Sequence, residues 1–173
     1  MRGGTLVIKG NAGDWLGAHM IGGRITVLGS AGNFVGSGYR GEKQGMAGGT
    51  ILIKGNAGRA VGARMKGGFI AVGGDCEEAL GYGMLNGTIV VAGYAGIRVG
   101  SNMKKGTIIL LEAAKLSPVF YYNCIYWPTF WRLLYTDLKS RGFPLSASCE
   151  IAAFKRYRGD ANEGGDGEIL ICQ

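Results

Sequence analysis

Short apolar triplets recur along the first 111 residues of the chain. Each triplet places two apolar side chains on either side of a variable residue, and a small residue followed by glycine precedes it. The triplets are Leu6/Ile8, Ile25/Val27, Ile51/Ile53, Ile70/Val72, Ile89/Val91 and Ile108/Leu110. The small-glycine pairs begin at positions 3, 22, 48, 67, 86 and 105, so the steps between them are 19, 26, 19, 19 and 19 residues. Alternation over three residues predicts a short strand in each unit.

The rest of each unit is equally regular. A small side chain follows the strand at Ala12, Ala31, Ala57, Cys76 and Ala95, and each of the first five units closes with a methionine, at Met20, Met46, Met65, Met84 and Met103. One such unit is too small to bury its own apolar side, whereas stacked units place each inward residue on its equivalent in the next. The pattern predicts an all-β fold, a right-handed parallel β-helix of about six coils of 19 residues.

Two other solenoids do not match this spacing. A left-handed hexapeptide helix needs an aliphatic residue every six positions, and a calcium-binding nonapeptide solenoid needs an aspartate in each loop. The inward positions here lie at 6, 8, 12, 16 and 20, and the loop positions 11, 30, 75 and 94 hold Asn, Ser, Asp and Tyr. The sequence therefore favours neither acyl transfer nor calcium binding.

The second unit is seven residues longer than the others, through an insertion at about 37–43. Insertions in solenoids become loops on one face, which is often the binding face. A tolerated surface bulge is the competing interpretation.

Residues 112–173 have a different character, and we predict a boundary between a glycine-rich β-helix (1–111) and a C-terminal capping or partner-binding segment (112–173). Apolar spacing at Phe130, Leu134 and Leu138 predicts one amphipathic helix from Trp127 to Arg141, which Gly142 and Pro144 end. Residues 150–157 and 168–172 are predicted strands of a short β cap. The aromatic segment 117–131 is expected to cover the open end or the flank of the stack, and part of it is a candidate partner surface.

Composition and charge agree with this division. Of the 34 glycines, 29 lie in residues 1–111, and the net charge of +7 arises there too, from 12 Lys and Arg against 5 Asp and Glu. Collagen and disorder are excluded, because glycine lacks a three-residue period and 47% of the residues are hydrophobic. We expect a cytoplasmic protein with reduced thiols, since the sequence shows no secretory signal, no apolar run of membrane-spanning length and no Cys-x-x-Cys pair.

The sequence contains no recognisable catalytic or metal-binding set. His19 is the only histidine and is expected to be an ordinary surface side chain, while Cys76 occupies a buried alanine position. The glycine-rich turns precede no helix, so they are not phosphate-binding motifs. The basic balance favours an anionic carrier or an acidic partner over nucleic acid, because few aromatic residues accompany the basic ones. The candidates for that contact are Lys9, Lys54, Arg40 and Lys43.

Several motifs resemble a known family. The repeated Gly-Gly-Thr-apolar-x-apolar-x-Gly-Asn-Ala-Gly at 3–13 and 48–58 resembles the glycine-rich β-helix domain found in the C subunit of formylmethanofuran dehydrogenase and in the glutamate synthase large chain. Tyr39-Arg40-Gly41 leading to Gly45-Met46, and the ending at 154–170, resemble the C subunits more closely. The helix beginning Pro128-Thr129-Phe130-Trp131 resembles the version in the bacterial formyltransferase/hydrolase complex.

The resemblance implies a non-catalytic scaffold subunit of a complex in one-carbon metabolism, in which a formyl group is linked to methanofuran or a similar carrier. It implies partner subunits of the A, B and D types, and it assigns the molybdenum or tungsten pterin and the hydrolase metals to those partners, with no cofactor in this chain. Whether the setting is the archaeal dehydrogenase of methanogenesis, an oxidoreductase, or the bacterial formyltransferase/hydrolase stays open.

Family members usually have a further segment upstream of the repeats. We therefore expect a shortened form, or an adjoining chain that covers the first strand. Two alternatives stay open: a spacer domain of the glutamate synthase type and a free-standing structural or binding solenoid.

Overall fold

The computed structural model describes all 173 residues. It contains nine strands in one mixed sheet and a single α-helix. The strands are β1 (Thr5–Ile8), β2 (Ile21–Val27), β3 (Gly48–Ile53), β4 (Phe69–Val72), β5 (Thr88–Val91), β6 (Thr107–Leu110), β7 (Tyr121–Tyr126), β8 (Phe154–Gly159) and β9 (Gly167–Cys172), and the helix is α1 (Thr129–Ser140). Two short 3₁₀ turns lie at Ala147–Cys149 and Ala161–Glu163.

All six predicted strands form, and they pair in parallel in chain order. Residues at the same position of successive units lie opposite each other, as Ile70 lies opposite Ile51 and Ile89. Between β2 and β3 the register shifts next to Ile21, in the unit that contains the insertion. A second contact line runs through the predicted small residues, where Ala12, Ala31, Ala57, Cys76 and Ala95 bridge one another in parallel.

The interior between these two lines is apolar. The first and third residues of each triplet from β2 onward are buried, and so are the five predicted methionines, each with no exposed surface. Side chains at equivalent positions of successive units therefore form rows that fill the core. Their burial stabilises the fold by roughly 25 cal/mol for each Å² of apolar surface removed from water.

Polar side chains form hydrogen bonds between successive repeat units, called coils from here on, on the outside of the small-residue line. The Asn11 Oδ1 accepts a hydrogen bond from the Ser30 backbone N–H at 2.9 Å. The Ser30 Oγ, the Asn56 Oδ1 and the Asp75 Oδ1 accept in the same way from the following coil, at 3.1, 3.0 and 2.8 Å. Amides that have no strand partner at this corner are thereby satisfied.

The C-terminal segment extends the same sheet. Strand β9 pairs in parallel with β6, so that Ile169 lies opposite Ile108, and β8 and β7 then follow in antiparallel order. The two strands predicted at 150–157 and 168–172 are both present, as β8 and β9. Strand β8 begins later than predicted, at Phe154. Strand β7 within the aromatic segment was not predicted. Phe120, just before it, is 6% exposed and joins the apolar core of the coils.

Helix α1 lies on the outer face of the sheet and buries the middle residue of the triplets. Leu52, Ala71, Val90, Ile109 and Leu170 form a second core together with Trp131, Tyr135 and Leu138 of the helix. The predicted helix is confirmed, and of its predicted apolar face Leu138 is buried and Leu134 packs against this core, whereas Phe130 remains 42% exposed. Trp131 is buried in its place, where its ring packs against Phe154 and its indole N–H donates to the Cys149 carbonyl at 2.6 Å.

None of the helices has the length and apolar character that crossing a bilayer requires.

Candidate functional site

The insertion in the second unit builds a cleft on the corner of the stack that follows the small-residue line. Its cavity has a volume of about 290 Å³. Four aromatic rings and two guanidinium groups dominate its lining, from Trp15, Phe34, Tyr39, Tyr82, Arg40 and Arg64. The insertion itself contributes residues 37–41.

Repeat geometry explains why the rings face each other. Trp15 and Phe34 occupy the same position in coils one and two, and both have positive φ, 55° and 60°. Their rings stack with centroids 4.8 Å apart and planes 15° apart, and the Tyr39 ring from the insertion lies 6.2 Å from Trp15. The next two coils have Ala60 and Ala79 at this position, also with positive φ. The change from large rings to alanines leaves the space that the cleft occupies.

Hydrogen bonds hold the insertion in place. The buried Ser37 hydroxyl donates to the Ala60 carbonyl at 2.9 Å, and the Arg64 guanidinium donates to the Glu42 carbonyl at 2.6 Å. The Tyr39 backbone N–H donates to the Glu42 carboxylate at 2.6 Å, which closes the turn of the loop. These bonds fix the loop that forms one wall of the cleft.

His19 contacts the same carboxylate oxygen, Oε2 of Glu42. Its Nε2 pairs with the Glu42 side chain, and its ring lies 5.6 Å from that of Tyr39. The hydrogen bonds from His19 and from the Tyr39 N–H lower the pKa of Glu42. His19 is exposed as predicted, but it has a defined partner, since it links coil one to the insertion.

The charge around the cleft is positive. Arg40 and Arg64 line the cleft, and the Arg59 guanidinium lies over the Phe34 ring at 5.5 Å. The Glu42 carboxylate is already shared by two donors. Arg40 forms no ion pair within the chain.

The four predicted basic candidates lie in different settings. Arg40 and Lys43 share the insertion, and Lys9 is exposed just after β1. Lys54 is only half-exposed and lies at the end of α1, where a β-carbon on Gly142 would be 3.3 Å from its Nζ. The negative end of the helix dipole stabilises the positive charge of the Lys54 ammonium group there. Of the four, only Arg40 lines the cleft, whereas Lys43 lies on the neighbouring surface of the insertion.

The thiols are held in apolar surroundings. Burial raises the pKa of the Cys76 thiol, which is 3% exposed as its alanine-like position predicted. Burial, followed by the nearby Cys149, raises the pKa of Cys172 to about 11. Both thiols therefore stay protonated and unreactive near neutral pH. No group of three or more His, Cys, Asp and Glu side chains is arranged to hold a metal ion.

The aromatic side chains of the cleft were not singled out from the sequence. A signal for them exists, because Trp15 and Phe34 fall in register at a position where later coils have Ala60, Ala79 and Arg98. Two large rings in adjacent coils, next to an insertion of seven residues, indicate a local surface that the repeat itself does not require.

The fold and the cleft thus define a glycine-rich mixed β protein with parallel stacked strands, a helix on its sheet and a basic aromatic corner. The chain is similar to a subunit in the crystal structure of the formyltransferase/hydrolase complex (FhcABCD) from Methylorubrum extorquens in complex with methylofuran. The two are 36% identical with a TM-score of 0.86, over 99% of this chain and 64% of the other. The predicted resemblance to a subunit of this complex is confirmed, and this chain spans a little under two thirds of that subunit. No family model and no curated protein sequence matches the chain.

Proposed function

We propose that the chain is a C-type, non-catalytic scaffold subunit of a methanofuran-linked formyltransferase/hydrolase complex in one-carbon metabolism. The observation that supports this most is the similarity to the FhcABCD subunit over 99% of the chain at 36% identity. The partners in this proposal are the other subunits of the complex and a methylofuran-like carrier. The pterin and the hydrolase metals belong to those subunits, and this chain binds no cofactor.

In this proposal the stacked strands are coils of a right-handed parallel β-helix. The two contact lines support it, because the triplets and the small residues each stay in parallel register from coil to coil. The scaffold role agrees with the interior, in which aliphatic and methionine side chains pack against each other. The two buried polar residues, Ser37 and Asp160, both hydrogen-bond to backbone groups.

Copurification tests the assembly. An affinity-tagged full-length chain, expressed in its native host, is expected to retain formyltransferase-type and amidohydrolase-type subunits through a gel-filtration column. Recovery of glutaminase and flavin-containing synthase subunits would overturn the proposal in favour of a glutamate synthase spacer. Recovery of the chain alone would overturn it in favour of a free-standing solenoid.

Charge reversal tests the contact with an acidic carrier or partner. We expect Lys9→Glu and the double change Arg40→Glu with Lys43→Glu to weaken binding of the carrier or of the partner subunits, because exposed cations attract acidic groups over about 10 Å at about 0.1 M salt. Lys54→Glu is judged separately, since Lys54 also lies against α1. Lys66→Glu, a change of the same size at an exposed lysine outside the candidate set, is the control. Affinity unchanged in both test variants would remove these residues from the proposal.

A further inference from the structure

We infer that the cleft beneath the insertion is a binding site for a small aromatic ring that bears an anionic group. This inference goes beyond the scaffold function and does not depend on it. It rests on two features that surround one cavity: aromatic rings that stack on each other, and guanidinium groups that form no ion pair with a carboxylate.

The cavity has room for a single substituted ring. Its volume of about 290 Å³ lies just below the range of roughly 300–1,000 Å³ that ligand sites occupy, which favours a small ligand. The Ser37 bond to Ala60 and the bonds of Glu42 fix the loop that forms one wall of the cavity.

The walls of the cavity favour a planar, unsaturated group. Trp15 and Phe34 are both half-buried and already stack on each other, although a bulky residue at positive φ is rare and costs about 1–2 kcal/mol relative to glycine. The alanines of the two following coils show that the repeat itself does not need rings there. A ligand ring placed over Ala60 would extend the stack and contact the edges of Tyr39 and Tyr82.

The cations favour a negative substituent on that ring. Arg40 lines the cleft and lacks an ion-pair partner, and Arg64 uses one of its donors for the Glu42 carbonyl. Guanidinium groups bind carboxylates through paired N–H donors and also stack on rings. Glu42 is the acidic side chain of the loop, and its carboxylate points to His19 and the Tyr39 N–H.

Fluorine NMR tests this site with benzoate as the probe. The full-length chain, labelled with 5-fluorotryptophan, has signals from Trp15, Trp127 and Trp131. The Trp15→Phe variant assigns the first signal. Trp127, which is 68% exposed, and Trp131, which is 2% exposed, report on non-specific binding and on unfolding. The experiment is done on the chain alone and on the complex that copurifies with it.

Benzoate is expected to shift the Trp15 signal with a dissociation constant on the order of 1 mM, since a ligand with so few atoms has limited binding energy. Cyclohexanecarboxylate and benzamide, which lack the ring electrons and the charge respectively, should bind at least about fivefold more weakly. Phe34→Leu and Arg40→Gln should each weaken benzoate binding about fivefold or more, whereas Lys66→Gln, at an exposed lysine outside the cleft, should not change it.

Three results would overturn the inference. The first is an unmoved Trp15 signal at a benzoate concentration of about 20 times that constant. The second is an equal response to all three probes or in both cleft variants, provided that their Trp131 signals show a folded chain. The third is a response in the isolated chain that disappears in the complex, because it would assign the cleft to a partner's side chain. None of these results bears on which subunits copurify, so the scaffold proposal is tested separately.

Discussion

Single glycines set the distance between coils. Gly68 has a φ of +98°, and a β-carbon there would lie 2.8 Å from the Gly49 carbonyl oxygen and 2.7 Å from the Met46 methyl carbon. Gly49 lies in the preceding coil, and Met46 closes the coil before that one. Such a position excludes every other residue for two reasons, the backbone conformation and the lack of space.

Replacement of this glycine should be costly. We expect Gly68→Ala to lower the free energy of unfolding by about 3 kcal/mol. The strain of an alanine at positive φ and the clash of its β-carbon with the Gly49 carbonyl oxygen both contribute to this loss. Gly41 is the matched control, since it has a φ of +89° but no atom within 4 Å of its β-carbon position. Gly41→Ala should cost only ~1 kcal/mol in the same denaturant titration. Equal losses in the two variants would show that close approach of the coils does not matter.

Glu42 makes the insertion sensitive to acid. Its pKa is lowered in the folded chain by the hydrogen bonds from His19 and from the Tyr39 N–H. Because the pKa of Glu42 is lower in the folded chain, its contacts stabilise the ordered loop fully at pH values above the ordinary carboxyl pKa of 4.5. This stabilisation is lost as the pH falls through the pKa that Glu42 has in the folded chain.

We therefore expect the protection of the Tyr39 amide against hydrogen exchange to decrease as the pH falls below the ordinary carboxyl pKa of 4.5. The Glu42→Gln variant should show reduced protection already at neutral pH and no such acid step. An acid step of the same size in that variant would assign the sensitivity to another group.

At the scale of elements, helix α1 is held by its packing on the sheet. Its residues Trp131, Tyr135 and Leu138 cover the outward side chains of the strands, and the Asp137 and Arg141 side chains form a two-point ion pair at its end, at 2.8 and 2.6 Å. That pair is exposed and is worth less than about 1 kcal/mol. The buried face decides where the helix lies.

Removal of the largest buried side chain of the helix tests this view. Trp131→Ala is expected to lower the free energy of unfolding by about 4 kcal/mol, because it leaves a cavity and an unpaired Cys149 carbonyl. Leu133→Ala is the control within the same helix, since Leu133 is 77% exposed, and it should change stability by less than about 0.5 kcal/mol. Similar losses measured by chemical denaturation would mean that the helix is not docked through this face.

At the scale of the whole molecule, strand β9 joins the C-terminal segment to the coils. Ile169 is fully buried in the core of the stack, while Leu170 next to it belongs to the core under α1. One strand thus contributes to both cores. Two-state unfolding of the whole chain follows if the cores depend on each other.

We expect Ile169→Ala to destabilise the chain by about 3 kcal/mol and to shift a single unfolding transition, whether it is followed by far-ultraviolet circular dichroism or by tryptophan fluorescence. Ile125→Ala in β7, where the side chain is 45% exposed, should have little effect. Two separate transitions would instead show that residues 1–111 and 112–173 unfold as independent domains, in line with the boundary drawn from composition.

The six strands of the repeat and their register were predictable, because each unit has the same length and the same apolar positions. The helix was predictable from its spacing and its proline, but its buried face was predictable only in part, since neighbouring apolar residues at 130, 131, 133 and 134 fit several faces. The contacts of Trp131 with Phe154 and with the Cys149 carbonyl select among them. The resemblance to a subunit of the formyltransferase/hydrolase complex was also recognisable from the motifs.

The features that were not predictable depend on contacts between residues far apart in the chain. The parallel pairing of β9 with β6 joins segments 61 residues apart, as in the Thr107–Glu168 hydrogen bond, and no local period encodes such a pairing. The cleft likewise needs Trp15, Phe34, Arg40 and Arg64 from three coils at once. The sequence by itself determined the repeat, because a repeat is a local pattern copied along the chain. Tertiary structure alone decided how the C-terminal segment completes the sheet and how the insertion and two repeat positions form a cleft, because both depend on contacts between different parts of the chain.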